Sequence, residues 1–233
     1  MIVKALIASA VGGLLCLDRF QVFQTMISRP MVSAPIIGWV AGDLSAGFAS
    51  GLLFELLWLR QPPVGGYVPP DATMASIATA AVSGLARADV GMPLTGIVCL
   101  TFLFMFPVAF LAVRLDHSLR AMLGRLARTA EAAQKQGRGP AVYLYLIEGL
   151  GLGFLTAFVF LCPIVLAGAL VLSRVAPFVP PSVARALGVA YFTIPLLGIA
   201  DLLVALDERE DIILFVIGFA ISMGAVLILG ARI

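Results

Sequence analysis

Apolar residues run through this chain in long blocks rather than amphipathic stripes, and the polar residues that separate the blocks fall at their ends. An α-helix needs about 20 apolar residues to cross a bilayer, and the blocks 91–113, 141–172, 187–206 and 212–229 predict spans. Pro107 predicts a kink in the first, and Pro163 and Pro195 lie inside the next two. The front of the chain is built differently. Residues 2–17 are short for a span and end in Leu17-Asp18-Arg19, and the mixed stretch 20–28 reads as an interfacial or re-entrant piece. Arg29-Pro30 restarts an apolar run over 31–41, interrupted by Pro35 and Gly38, closed by Gly42-Asp43 and too short to span unaided.

Residues 44–59 predict a helix on which Asp43, Gly47, Gly51 and Glu55 recur every four positions, a stripe that drifts by about 40° per step. One face is therefore small and acidic, suited to close approach by a second helix. The run 61–70 holds Pro62, Pro63, Pro69 and Pro70 and cannot continue a helix. Asp71 stands where an N-cap belongs, ahead of a helix of small residues from Ala72 to Ala81. A half-helix starting inside the membrane is a device for binding polar ligands at depth.

With 61% hydrophobic and 12% charged residues in 233, and a mean hydropathy of +1.09, the chain lies outside soluble composition. The expectation is an all-α integral membrane protein, a multi-span bundle with re-entrant or broken helices, forming one membrane domain over residues 1–233. Carboxylates at membrane depth, Glu55 above all, cost about 3 kcal/mol by insertion scales and persist where they face a cavity, partner or substrate. The segment 114–138 carries Arg114, Arg120, Arg125, Arg128, Lys135 and Arg138 against Asp116 and Glu131, with leucines at helical spacing, and reads as a basic loop on the cytoplasmic side. The linker 176–182 is then external, and the acidic run 207–211 falls inside, a mild conflict because acidic residues count little in that rule.

A net charge of +2 gives no footprint for nucleic acid. Cys16, Cys99 and Cys162 stand singly in apolar runs and read as small buried hydrophobes, and no metal or cofactor set is expected. The start Met1-Ile2-Val3-Lys4 imitates a signal peptide, but no A-x-A site follows, so the segment is kept as mature structure. One histidine, His117, cannot furnish a triad or metal cluster, and no glycine-rich phosphate loop exists, so the chain is not expected to be an enzyme. Pro35-Ile36-Ile37-Gly38 and Pro195-Leu196-Leu197-Gly198, each followed by an aspartate, hint at an internal repeat.

Leu17-Asp18, Arg29-Pro30, Gly42-Asp43, Gly51-x-Leu53-x-Glu55-Leu56 and Val68-x-Pro70-Asp71-x-x-x-Ala75-Ser76 carry a resemblance over residues 17–86. In that order and spacing they resemble the IIC subunit of the mannose/fructose/sorbose family of the phosphoenolpyruvate-dependent sugar phosphotransferase system. The resemblance implies a permease subunit of the bacterial inner membrane. It would translocate a hexose-type sugar, with a IID membrane subunit and with cytoplasmic IIA and IIB proteins that carry phosphate on histidines. By motif position it puts Glu55 and Asp71 in the sugar-binding core, with Asp18 and Asp43 near it. Two departures bear on substrate choice: Pro62-Pro63 stand where mannose-type members often carry an asparagine, and additional residues separate Asp18 from Arg29.

Plainer readings stand beside these. Asp71 also reads as an N-cap contributing about 1 kcal/mol, and Glu55 as a structural carboxylate paired with Arg60 or another subunit. His117 reads as a solvated residue where a IIB partner could dock rather than as a phosphoryl carrier. The alternative function is a divergent membrane scaffold or non-sugar channel component that lost the sugar site.

Overall fold

A computed structural model describes residues 1–19, 21–22, 24–59, 68–87, 91–136 and 141–205, with the isolated positions 213, 217 and 218. Every regular element among the described residues is helical: α1 (Ile2–Leu17), α2 (Pro30–Ala41), α3 (Leu44–Leu57), α4 (Ala72–Ala86), α5 (Leu94–Lys135), α6 (Ala141–Val175) and α7 (Pro181–Ala205), with a 3₁₀ turn at Ala176–Phe178. The expected all-α membrane bundle is what forms: α5, α6 and α7 are long and apolar enough to cross a membrane, and α1 to α4 are shorter apolar helices. At 1.5 Å per residue those four reach only about 24, 18, 21 and 22 Å, short of a hydrocarbon core of about 30 Å. The expected span at 212–229, the prolines at 62 and 63 and the acidic run 207–211 lie outside the described residues, apart from the isolated positions.

Helices α2 and α3 form an antiparallel hairpin. Gly42 ends α2 in the left-handed region at φ 105°, which a residue without a Cβ adopts at no steric cost, and the Asp43 carboxylate then accepts from the Ala46 N–H at 3.0 Å to start α3. The small face of α3 is what lets the two close together. A Cβ on Gly47 would stand 2.6 Å from the Ala34 carbonyl oxygen, and one on Gly51 would stand 2.5 Å from that of Pro30. The partner of the glycine stripe is therefore the chain's own α2, so the stripe itself calls for no second subunit. Pro35, expected to interrupt α2, lies inside it; the loss of one N–H donor is tolerated where neighbouring helices pack the freed carbonyl.

The centre of the bundle is α4, buried from Thr73 onward apart from Met74. Its Ser76, Thr79 and Ser83 hydroxyls donate back to carbonyls of their own helix, to Thr73, Ala75 and Thr79, so the small polar side chains enter the core without orphaned donors. Around it pack α1, α2, α3, α5 and α6. The glycines of the two PxxG motifs both seat on α3: Gly38 against Gly47, and Gly198 of α7 against the carbonyls of Leu56 and Leu57.

The basic segment is not a loop. Helix α5 runs unbroken through Pro107 and on to Lys135, 42 residues or about 63 Å, with i,i+4 pairs at Asp116–Arg120 (3.0 Å) and Glu131–Lys135 (2.7 Å). Charges end the apolar stretch but not the helix, because alanine, leucine and arginine are strong helix formers. The leucines of the extension lie against α6, where a Cβ on Gly149 would touch Leu123 and Leu126. A cysteine placed at the exposed Gln134 is expected to resist an impermeant maleimide in intact cells and to react after permeabilisation. Labelling in intact cells would invert the topology from α5 onward.

Candidate functional site

Each short helix ends in a carboxylate or beside one. Asp71 accepts from the Met74 N–H at 3.0 Å as the cap of α4, while its own N–H donates to the Ala109 carbonyl of α5 at 3.0 Å. Its second oxygen is ion-paired with Arg19, and both side chains are largely buried, 7% and 18% exposed. Glu55 accepts from the Arg29 guanidinium and from the Met31 N–H, both at 3.3 Å, so the end of α3 caps the start of α2. Asp18 closes the connection between α1 and α2, accepting from the Thr25 N–H (2.8 Å), the Thr25 hydroxyl (2.9 Å) and the Ser28 N–H (3.1 Å). Asp43 pairs with Arg87 at 2.5 Å, and Lys4 donates to the Ala41 carbonyl alongside, at 3.3 Å.

These contacts sort the four expected ligands into two places. Asp18, Glu55 and Asp71 meet where α1 and α3 end and α2 and α4 begin, linked through Arg19, Ser28 and Arg29. Asp43 lies at the opposite ends of α3 and α4, about 18 Å from Glu55 along the helix axis. Arg60, which with another subunit was an expected partner of Glu55, lies outside the described residues; among the described residues Arg29 holds Glu55.

Beside Asp71 the bundle encloses a cavity of about 130 Å³, walled by Cys16, Arg19, Gln21, Asp71, Asp116, Arg120 and Thr156 among apolar neighbours. Of the four expected ligands only Asp71 lines it. Two carboxylates and two guanidiniums face it, so its formal charge cancels, and the Thr156 hydroxyl and Gln21 amide add neutral polar groups. The arrangement can hold an uncharged, hydrogen-bonding molecule without leaving a buried charge uncompensated.

Along the whole chain, residues 2–231, runs the pattern of the "PTS system sorbose-specific iic component" family. The chain belongs to that family. As a sorbose-specific IIC family member it is a membrane permease component of the phosphotransferase system. It is 26% identical to the sorbose-specific EIIC component of Klebsiella pneumoniae over 220 residues, 94% of this chain and 78% of that one. A putative N-acetylgalactosamine permease IIC component 2 of Escherichia coli K12 is 33% identical over 79 residues, a third of this chain. The match spans 59% of that relative's length. The mannose-specific EIIC component of the same organism is 34% identical over 77 residues, 27% of its length. A solved membrane protein superposes with a TM-score of 0.72 at 20% identity, covering 99% of this chain and 91% of its own. The mannose transporter ManYZ in complex with microcin E492 gives 0.50 at 19% identity, covering 95% and 85%. At these identities the two structures establish the IIC chain's fold alone.

Sequence reasoning on this IIC chain missed the cations. Arg19, Arg29 and Arg87 each sit within two residues of a helix end and outside the basic segment. That position, arginine flanking a short apolar helix in a chain with carboxylates at similar places, was the available signal. Gln21, Asp116, Arg120 and Thr156 carried none, because they meet only when α5 and α6 fold against the end of α1.

Proposed function

We propose that this chain is the translocating subunit of a sugar phosphotransferase system in a bacterial inner membrane. It passes a hexose-type sugar together with a IID membrane subunit, and separate IIA and IIB proteins supply the phosphoryl group. The observation that carries this reading is the charge-balanced cavity at the junction of the short helices, in which a few polar side chains stand among apolar ones. In an apolar bundle such a cavity suits a neutral polyol, whose hydroxyls both donate to carboxylate and amide oxygens and accept from guanidinium N–H groups. Asp71 is the candidate contact among the four carboxylates; Glu55 and Asp18 brace the same end of the bundle, and Asp43 braces the other. His117 sits exposed on α5 outside the cavity wall, which favours phosphoryl transfer by partners over a phosphohistidine on this chain.

One observation favours the second reading, a membrane scaffold or non-sugar channel component: all four carboxylates already accept hydrogen bonds from within the chain. Uptake separates the two. Cells that lack their own sugar system and receive this chain with its IID, IIA and IIB partners are expected to accumulate labelled sugar as its phosphate ester, with the IID subunit co-purifying. Normal membrane insertion without uptake of any hexose would establish the scaffold.

A further inference from the structure

Next to the polar cavity lies a second, larger one. A groove of about 320 Å³ runs between the basic extension of α5 and the first turns of α6, lined by Leu126, Ala127, Ala130, Tyr145, Leu146 and Gly149. The two spaces share just two lining residues, Gln21 and Leu123. Leu123 belongs to α5, whereas Gln21 reaches in from the connection between α1 and α2 and lies flat against Gly153 of α6, so close that a Cβ on Gly153 would fall inside its amide. Glycine at 153 is thus what makes room for it.

The backbone N–H groups of Gln21, Thr25 and Ser28 are tied down while the Gln21 side chain is not. Asp18 holds Thr25 and Ser28, and the Gln21 N–H donates to the Leu17 carbonyl at 2.9 Å. Among the described residues the side chain has a single long hydrogen bond, from Nε2 to the Gly149 carbonyl at 3.5 Å, and its buried Oε1 has no hydrogen-bond partner. A buried amide oxygen left unsatisfied costs free energy. This closed position is therefore cheap to leave, because swinging Gln21 out would give Oε1 water or a ligand hydroxyl to accept from.

We infer that Gln21 is the movable partition between the polar cavity and the groove, so that its displacement joins the two into one passage along α6 toward the basic end of α5. This rests on the sugar-permease reading only for what passes; the partition itself is a property of the cavity. On that reading Gln21 is a positioning residue that retains the sugar until it can be released on the side of the phosphoryl-carrying partners.

The test needs no sugar. With Cys16, Cys99 and Cys162 replaced by alanine, Thr156→Cys puts a thiol on the wall of the inner cavity, and its reaction with a water-soluble maleimide is followed in inverted and in right-side-out membrane vesicles. Gln21→Ala is expected to raise the labelling rate about tenfold in inverted vesicles alone, as loss of a closed state held by one weak contact requires. Gly153→Ala, which displaces Gln21 without removing it, is expected to do the same, and to add nothing in the Gln21→Ala background. Should Gln21→Ala fail to reach the membrane, Gly153→Ala carries the comparison. Unchanged labelling in the variants that insert, or an equal rise from both faces, would overturn the partition. Failure of sugar uptake with the labelling pattern intact would instead remove the permease reading and leave the partition standing.

Discussion

Asp71→Ala is expected to destabilise the protein by about 3 to 5 kcal/mol, among the largest effects any single side chain here would show. The carboxylate performs two tasks at once, capping α4 and neutralising Arg19 in a nearly buried pair. Removing one partner of such a pair takes away the closest counter-charge of the other, which costs more than the pair itself contributes. Unfolding in detergent micelles would measure the loss, and Arg19→Ala should show a similar one. The double variant Arg19→Gln with Asp71→Asn separates structure from function, because it removes both charges while the Asn side chain still caps the helix. It should recover most of the stability and partner assembly yet fail to take up sugar. Uptake at the wild-type rate in that variant would mean Asp71 is structural only and the sugar is held elsewhere.

Gly51→Val is expected to abolish the folded protein, whereas Gly151→Ala is expected to stabilise it slightly. The two substitutions differ in what the new carbon meets. At Gly51 a Cβ would stand 2.5 Å from the Pro30 carbonyl oxygen and 3.2 Å from the Met31 Cα, all backbone that cannot rotate away, so the α2–α3 hairpin would have to open. Overpacking costs 1 to 3 kcal/mol where side chains can adjust and more where they cannot. At Gly151, on α6, nothing lies within 4 Å, and alanine gains up to about 1 kcal/mol in helix propensity. The yield of monodisperse protein, with melting temperature for the variant that survives, would check both. A well-folded Gly51→Val protein would show that the two helices are not held together at this face.

What could be read from the chain follows the range of the physics involved. The spans within 91–113, 141–172 and 187–205, the short helices of the front and the cap at Asp71 come from local rules of length and capping, and those features stand in the structure. The small acidic face of α3 was visible too, but not that α2 would cover it, since nothing in a glycine spacing names its neighbour. Reading the segment after Val113 as a loop treated charge as the end of a helix, when it ends only the part a bilayer can accept. The carboxylates were recognisable as unusual; their arginine partners lie 26 and 44 positions away for Glu55 and Asp43, distances that only the fold closes. The cavity is harder still, because its wall draws on α1, α4, α5 and α6 together.

The unbroken length of α5 has a mechanical consequence. Its apolar first 20 residues or so match the thickness of a bilayer, which leaves about 33 Å of the same helix beyond that length. Because Ala109 receives the N–H of Asp71 and Asp116 and Arg120 line the cavity, the helix is fastened to the site near its midpoint. A bend of about 5° beyond that fastening, which leaves the buried first half of the helix in place, would sweep the far tip through about 3 Å, by the rise of the helix. A load on the tip would thus be carried back toward the cavity both through the helix itself and through the turn of α6 on which Leu123 and Leu126 rest.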